Sequence, residues 1–229
     1  AVSTQLGIGT GASVNELITD ADVSPLRLRQ PGDTDPRRWS WTADDLRTKL
    51  LSDRHDVIYL AGHFSANSAL AADYLTSVVT TELAASTVDL TNAVVFSGGC
   101  HSGYNLVDGE ALTGVALELD WAQAFAQKRA VLIAGTGYQY GDTDFIEYSE
   151  RLYADFSREL RAGPAGSAVS VGEALMHAKR TYPATTPDIR GIHEKALLIS
   201  TLFGLPMFGV NMPEGRGAIP GAGAATIDP

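Results

Sequence analysis

Three short runs of almost uninterrupted apolar residues constrain the architecture of this chain: "DVIYLAG" at 56–62, "NAVVFSGG" at 92–99 and "AVLIAG" at 130–135. A strand with one face in water alternates apolar and polar residues. These runs are apolar at consecutive positions, which suits central parallel strands covered on both faces. Helical patterns lie between and after them. "TADDLRTKLL" opens with a capping Thr42 and an acidic Asp45, then sets Leu46, Leu50 and Leu51 on one side. "DWAQAFAQKR" at 120–129 is a short helix that feeds the third strand. "FIEYSERLYADFSRELRAG" aligns Phe145, Tyr148, Leu152, Phe156 and Leu160 on one helical face and stops near Gly163 and Pro164. "SVGEALMHAKRTY" carries Ser170 and Glu173 at capping-box spacing, and a last helix is expected over 193–203. The pattern predicts an α/β fold with a mostly parallel central sheet and helices on both faces.

The two ends read differently. In residues 1–40, "GIGTG" and "RQPGDTDPRR" have loop character, and only "NELITDA" and "PLRLR" offer short strands. That segment is of uncertain structure, the folded domain is expected over 41–212, and 213–229 is a Gly-, Ala- and Pro-rich flexible tail or linker. The most apolar stretch, "ALLISTLFGLPMFGV" at 196–210, is short for a membrane span and is broken by Gly204 and Pro206, so it reads as core and predicts no membrane insertion. A formal charge of -10 opposes broad binding to nucleic acid or anionic lipid and suits substrates with local positive charge.

Cys100 is the only cysteine in 229 residues. A chain of this length buries enough surface to fold without a disulfide or a metal, and one cysteine makes neither an internal disulfide nor a cysteine-rich zinc site. Cys100 follows one buried strand and His63 follows an earlier one. In a parallel sheet such carboxyl ends open onto one crevice. A cysteine nucleophile needs a neighbouring base, and glycines such as Gly62, Gly98 and Gly99 let backbone amides approach an oxyanion. From residue types alone the other role also stands, with Cys100 a small buried hydrophobe and His63 a hydrogen-bonded strand-end residue. Two further readings use the same cysteine. A metal site would draw on His63, Cys100 and His101, against the strain of adjacent ligands. A degraded nucleophile elbow would need His177 or His193 from downstream.

"YLAGHFSAN" around His63 and "VVFSGGCHSGYN" around Cys100, each closing an apolar strand with His before Cys, resemble the caspase-like cysteine peptidases of the clostripain, gingipain and legumain clan. Within that clan the chain is similar to the gingipain-type peptidase family. "VLIAGTG", "SVGEALMHAKRTY" and "EKALLISTLFGLPMF" extend the resemblance over about residues 40–210. The resemblance implies a caspase-like three-layer sandwich over 41–212 and an endopeptidase working through a Cys–His dyad. His63 would be base and acid, Cys100 the nucleophile, and the backbone amides of Phe64 and Cys100 the oxyanion donors. It implies no cofactor and no catalytic metal, a peptide or protein substrate, association with other portions of a larger parent protein, and a secreted or cell-envelope bacterial setting. It also places the loop after the third strand near the pocket for the substrate residue preceding the cleaved bond (P1). There Tyr138, Tyr140, Asp142 and Asp144 become substrate-binding candidates and cleavage after Arg or Lys is expected. Two departures stand out. Phe64 occupies a position that is commonly glycine, where it would restrict the backbone and crowd the mouth of the site, and the front strands lack strong candidates. A caspase-like binding or regulatory module without turnover is the alternative.

Overall fold

The structure is a computed structural model, and it describes residues 1–8, 41–105, 119–142, 145–162 and 167–212. The three apolar runs become β2 (Val57–Leu60), β6 (Val94–Ser97) and β7 (Val131–Gly135) of a five-stranded sheet. Its other members are β1 (Gln5–Ile8) and β9 (Ser200–Phe203), and the order is β1-β2-β6-β7-β9. All pairings are parallel except β7 with β9. Alternate residues of the same strands feed opposite cores, which is why the runs have no polar face. Ile58, Leu60, Val95 and Leu132 meet Leu46, Leu50, Leu83, Trp121 and Phe125 on one side. Val57, Tyr59, Phe96 and Ile133 meet Leu152, Tyr153, Phe156, Val171, Leu175 and Tyr182 on the other. The mixed α/β sandwich with a mostly parallel sheet is therefore as expected.

The helices follow their caps. In α1 (Ala43–Leu46), which widens into a π-type turn over Arg47–Ser52, Thr42 and Asp45 exchange the reciprocal bonds of a capping box. Next come α2 (Thr80–Ala85) and α3 (Trp121–Gln127), the latter capped by Asp120 on the Gln123 amide at 2.7 Å. The second face is built from α4 (Tyr148–Glu159), α5 (Val171–Ala184) and α6 (Ile192–Ile199). Two small sheets complete the fold, β3 (His63–Phe64) with β4 (Ser68–Leu70) and β5 (Ser77–Val79), and β8 (Val169–Ser170) with β10 (Gly209–Val210).

Three expectations change. The front strand lies in "QLGI", ahead of the segments proposed for it, and pairs in parallel with β2 from Gln5 opposite Val57 to Ile8 opposite Leu60. "NELITDA" and "PLRLR" fall outside the described residues, as does 213–229. Phe145 is 69% exposed and outside α4, because Tyr148 at the helix start has φ 54 and the helical face cannot continue back through a left-handed residue. The last helix ends at Ile199, and residues 200–203 extend instead, since β7 offers an unpaired edge that β9 satisfies.

Candidate active site

Leu60 of β2 and Ser97 of β6 are register partners, and His63 and Cys100 each lie three residues beyond them. Neighbouring strands run about 4.8 Å apart, so both residues leave the sheet at the same end of adjacent strands. Beyond that point the two segments diverge. Gly62, at φ 151, turns the chain outward into β3, where His63 is exposed and Phe64 is buried. The His63 ring lies 5.4 Å from the Tyr74 ring, with Nε2 3.3 Å from the Tyr74 hydroxyl. The Cys100 thiol donates to the Gln139 carbonyl at 3.5 Å. Among the described residues no hydrogen bond joins ring and thiol directly.

The cysteine loop is bound closely to the segment after β7. His101 has φ 56, so the chain does turn sharply after Cys100, and its amide donates to Gly137 O at 2.8 Å. Gly103 N donates to Gly135 O at 2.9 Å, and a Cβ on Gly103 would lie 2.7 Å from Ala134 O, so glycine permits this approach. The His101 ring meets Tyr138 edge-on at 4.5 Å and Tyr104 at 6.2 Å, which gives it a packing role instead of one beside the thiol. His193 is hydrogen-bonded to Tyr182 at 2.8 Å, and His177 is half exposed beside Glu173, so the histidines of an elbow reading are engaged elsewhere.

Phe64 does not stand in the mouth of the site. Its ring packs 5.6 Å from Trp121 and lies directly beneath Gly99, where an added Cβ would fall 2.3 Å from Phe64 Cγ. Trp121 in turn donates from Nε1 to Ser65 O and from its amide to Ala66 O, both at 3.1 Å, pinning the β3–β4 hairpin. Ser65 N donates to Ser68 O at 2.8 Å, which makes 65–68 a hydrogen-bonded pair of the antiparallel ladder. Alternation then makes 63–70 the next such pair and turns the Phe64 amide away from β4. Phe64 is absent from the residues with positive φ, so an ordinary side chain is accommodated without strain. Among the described residues the Cys100 amide donates to no backbone carbonyl.

The expected substrate wall holds a surprise. Tyr138 and Tyr140 flank Gln139, the thiol's acceptor, and Lys195 from α6 sits with its ammonium 5.3 and 5.0 Å from the two ring centroids. Lys195 also donates to the Tyr140 hydroxyl at 3.3 Å. Asp142 Oδ1 accepts from the Phe145 amide at 3.1 Å, and Asp144 lies outside the described residues.

No family model matches the chain, and no curated protein matches it. Solved structures do. The Arg-specific cysteine proteinase gingipain R (RgpB) aligns with a TM-score of 0.56 at 17% identity over 90% of this chain. The complex of Porphyromonas gingivalis RgpB pro- and mature domains aligns with a TM-score of 0.58 at 16% identity over 92%. The fold is caspase-like. This chain spans about half the length of those structures, 46% and 49% respectively.

In this caspase-like chain two residues near the site, besides Lys195, escaped sequence reading. Buried Gln139 donates from Nε2 to Ser97 O and Gly99 O, each at 2.7 Å, and accepts from the Tyr153 hydroxyl at 2.9 Å. It ties the end of β6 to the following loop and to α4. Burial pushes the Tyr153 hydroxyl well above its ordinary pKa, so it remains a donor. Tyr74, at φ 58 in the β4–β5 turn, brings its hydroxyl to His63. A polar glutamine between two tyrosines and a tyrosine in an Asp73-capped turn carry no pattern that a sequence alone exposes. Among the described residues no helix is long and apolar enough to cross a membrane, and no group of three His, Cys, Asp or Glu is arranged to hold a metal.

Proposed function

We propose that this chain is a cysteine peptidase domain working through Cys100 and His63. The observation that carries the reading is the register: partnered Leu60 and Ser97 deliver the two residues, three positions on, to one end of adjacent parallel strands. The thiolate attacks the carbonyl carbon of a peptide bond, and the carbonyl π electrons move to oxygen, where the amides of Phe64 and Cys100 donate to the oxyanion. His63, having taken the thiol proton, returns it to the departing amine as the carbon–nitrogen bond breaks. The thioester is then hydrolysed by a water whose proton passes to His63 and on to the leaving thiolate. Ring and thiol come together when substrate binds, as catalytic contacts tighten from looser resting geometry. No cofactor enters these steps. The natural partner is a peptide or protein chain, other portions of a longer parent protein would complete the molecule, and a secreted or cell-envelope setting follows from the resemblance.

The preference for Arg or Lys meets one obstacle. A basic side chain against Tyr138 and Tyr140 would encounter Lys195, although the Asp142 carboxylate, which accepts from the Phe145 amide, keeps its charge. A second reading, a binding module without turnover, draws on the His63–Tyr74 contact that holds the ring away from a direct thiol bond. Labelling by an electrophilic peptide ketone separates the two. The enzyme reading expects labelling of the wild type, none in Cys100→Ala and strong slowing in His63→Ala; equal labelling in Cys100→Ala overturns it.

A further inference from the structure

Lys195 is an unusual partner for the two tyrosines that flank the thiol's acceptor. Its helix, α6, stands against α4 and β7, so the side chain is delivered from the scaffold and not from a surface loop. Lys195 is half-buried, with its ammonium over the rings of Tyr138 and Tyr140, and among the described residues no carboxylate lies within ion-pair distance of it. Ring faces attract a cation but do not neutralise it. In a chain with a formal charge of -10, this cation has no counter-ion among the described residues, and it lies on the two rings that flank Gln139, the thiol's acceptor.

The position of the wall indicates what would neutralise it. The thiol is hydrogen-bonded to Gln139 O, and the two tyrosines are the residues on either side of Gln139. Gln139 itself is immobilised by bonds to Ser97 O, Gly99 O and the Tyr153 hydroxyl, while Tyr138 is braced by the His101 ring. The wall therefore keeps a fixed relation to the sulfur. A thiolate attacks the carbonyl of the P1 residue, and the resemblance assigns this loop to the P1 pocket, so P1 is the side chain taken to meet this wall. A carboxylate there would complete a charge-assisted hydrogen bond with Lys195, and a guanidinium or ammonium would be repelled.

We propose that Lys195 is a specificity-determining residue that selects an acidic side chain, Asp or Glu, at P1. The inference rests on the peptidase reading above. Its test uses electrophilic peptide ketones identical except for Asp, Asn, Glu or Arg at P1, with labelling rates compared in the wild type, Lys195→Met, Lys195→Glu and Lys195→Arg. The wild type is expected to favour Asp over Asn and over Arg by tenfold or more, with the Asp:Asn ratio falling as salt rises. Lys195→Arg keeps that order, Lys195→Met brings Asp and Asn to equal rates, and Lys195→Glu favours Arg. Wild-type labelling that prefers Arg, or an Asp:Asn ratio near one, overturns the proposal without recourse to any variant. Cys100-dependent labelling whose P1 order is unchanged in Lys195→Met and Lys195→Glu overturns it while leaving the peptidase reading intact. Absence of Cys100-dependent labelling with every probe overturns the peptidase reading and this inference with it.

Discussion

The segments that follow β2 and β6 leave neighbouring strands at equal distance from their register partners, yet they are held in opposite ways. The cysteine loop is tied by the Gln139 amide, by two backbone bonds to residues 135 and 137, and by the seat of Gly99 on Phe64. The histidine ring is exposed, and its hydrogen bond runs to Tyr74, itself 54% exposed. The hairpin backbone beneath that ring is nevertheless anchored by Trp121. The contrast separates a fixed thiol from an exposed ring free to reorient, which suits the proposed peptidase, where the proton carrier has to serve the thiol, the leaving amine and water in turn.

That comparison is most severely tested at Gln139. Gln139→Leu leaves the Ser97 and Gly99 carbonyls and the Tyr153 hydroxyl without their buried partner, and an expected loss of about 3 kcal/mol should appear in urea denaturation together with slower Cys100 labelling. Unchanged stability would show that the cysteine loop does not depend on this clamp. Gly99→Ala forces a methyl against the Phe64 ring, and about 2 kcal/mol of destabilisation from overpacking is expected, with most of the labelling lost.

Asp56 serves as a control at the far end of β2. Its Oδ2 accepts from Ser3 N at 2.8 Å and Thr4 N at 3.2 Å, and Arg54 pairs with Oδ1 at 2.9 Å. Burial pushes this carboxyl up, but the Ser3 and Thr4 donors and Arg54 outweigh it, leaving its pKa below the usual range. A depressed carboxyl contributes stability that is complete above the unfolded pKa of about 3.9 and is lost as pH falls through the lower folded value. Asp56→Asn should therefore cost about 1.5 kcal/mol near neutrality, flatten the acid limb of stability, and leave labelling per folded molecule unchanged. A drop in that labelling would mean that the far end of β2 is coupled to the site. The smallest effect belongs to the histidine side. Tyr74→Phe should move stability by less than about 0.5 kcal/mol, while labelling changes by roughly two- to tenfold as the ring loses its resting partner. A structural role alone would leave the labelling rate unmoved.

The central strands, and the equivalent places of His63 and Cys100 three residues beyond two of them, were legible because doubly buried strands announce themselves as continuous apolar runs. The front strand was not, since four residues of "QLGI" next to glycine-rich sequence carry too little pattern, and their identity as a strand comes from pairing with β2. The fate of residues 200–203 was set by the open edge of β7, a tertiary fact. Phe64 was misread for a similar reason. Its size was plain, but the direction of its side chain depends on the pleat of β3, which a two-residue strand does not advertise. Lys195 lies 55 positions from Tyr140, beyond the reach of any local pattern.

The seating of Phe64 beneath Gly99 has an evolutionary side. Two positions that share one volume show epistasis: an alanine at 99 that is costly beside phenylalanine becomes tolerable once position 64 is glycine. The double variant Phe64→Gly with Gly99→Ala should thus recover part of the labelling lost by Gly99→Ala alone. Where a related chain carries a glycine after its histidine, the space below its cysteine loop is open to residues that this protein must refuse.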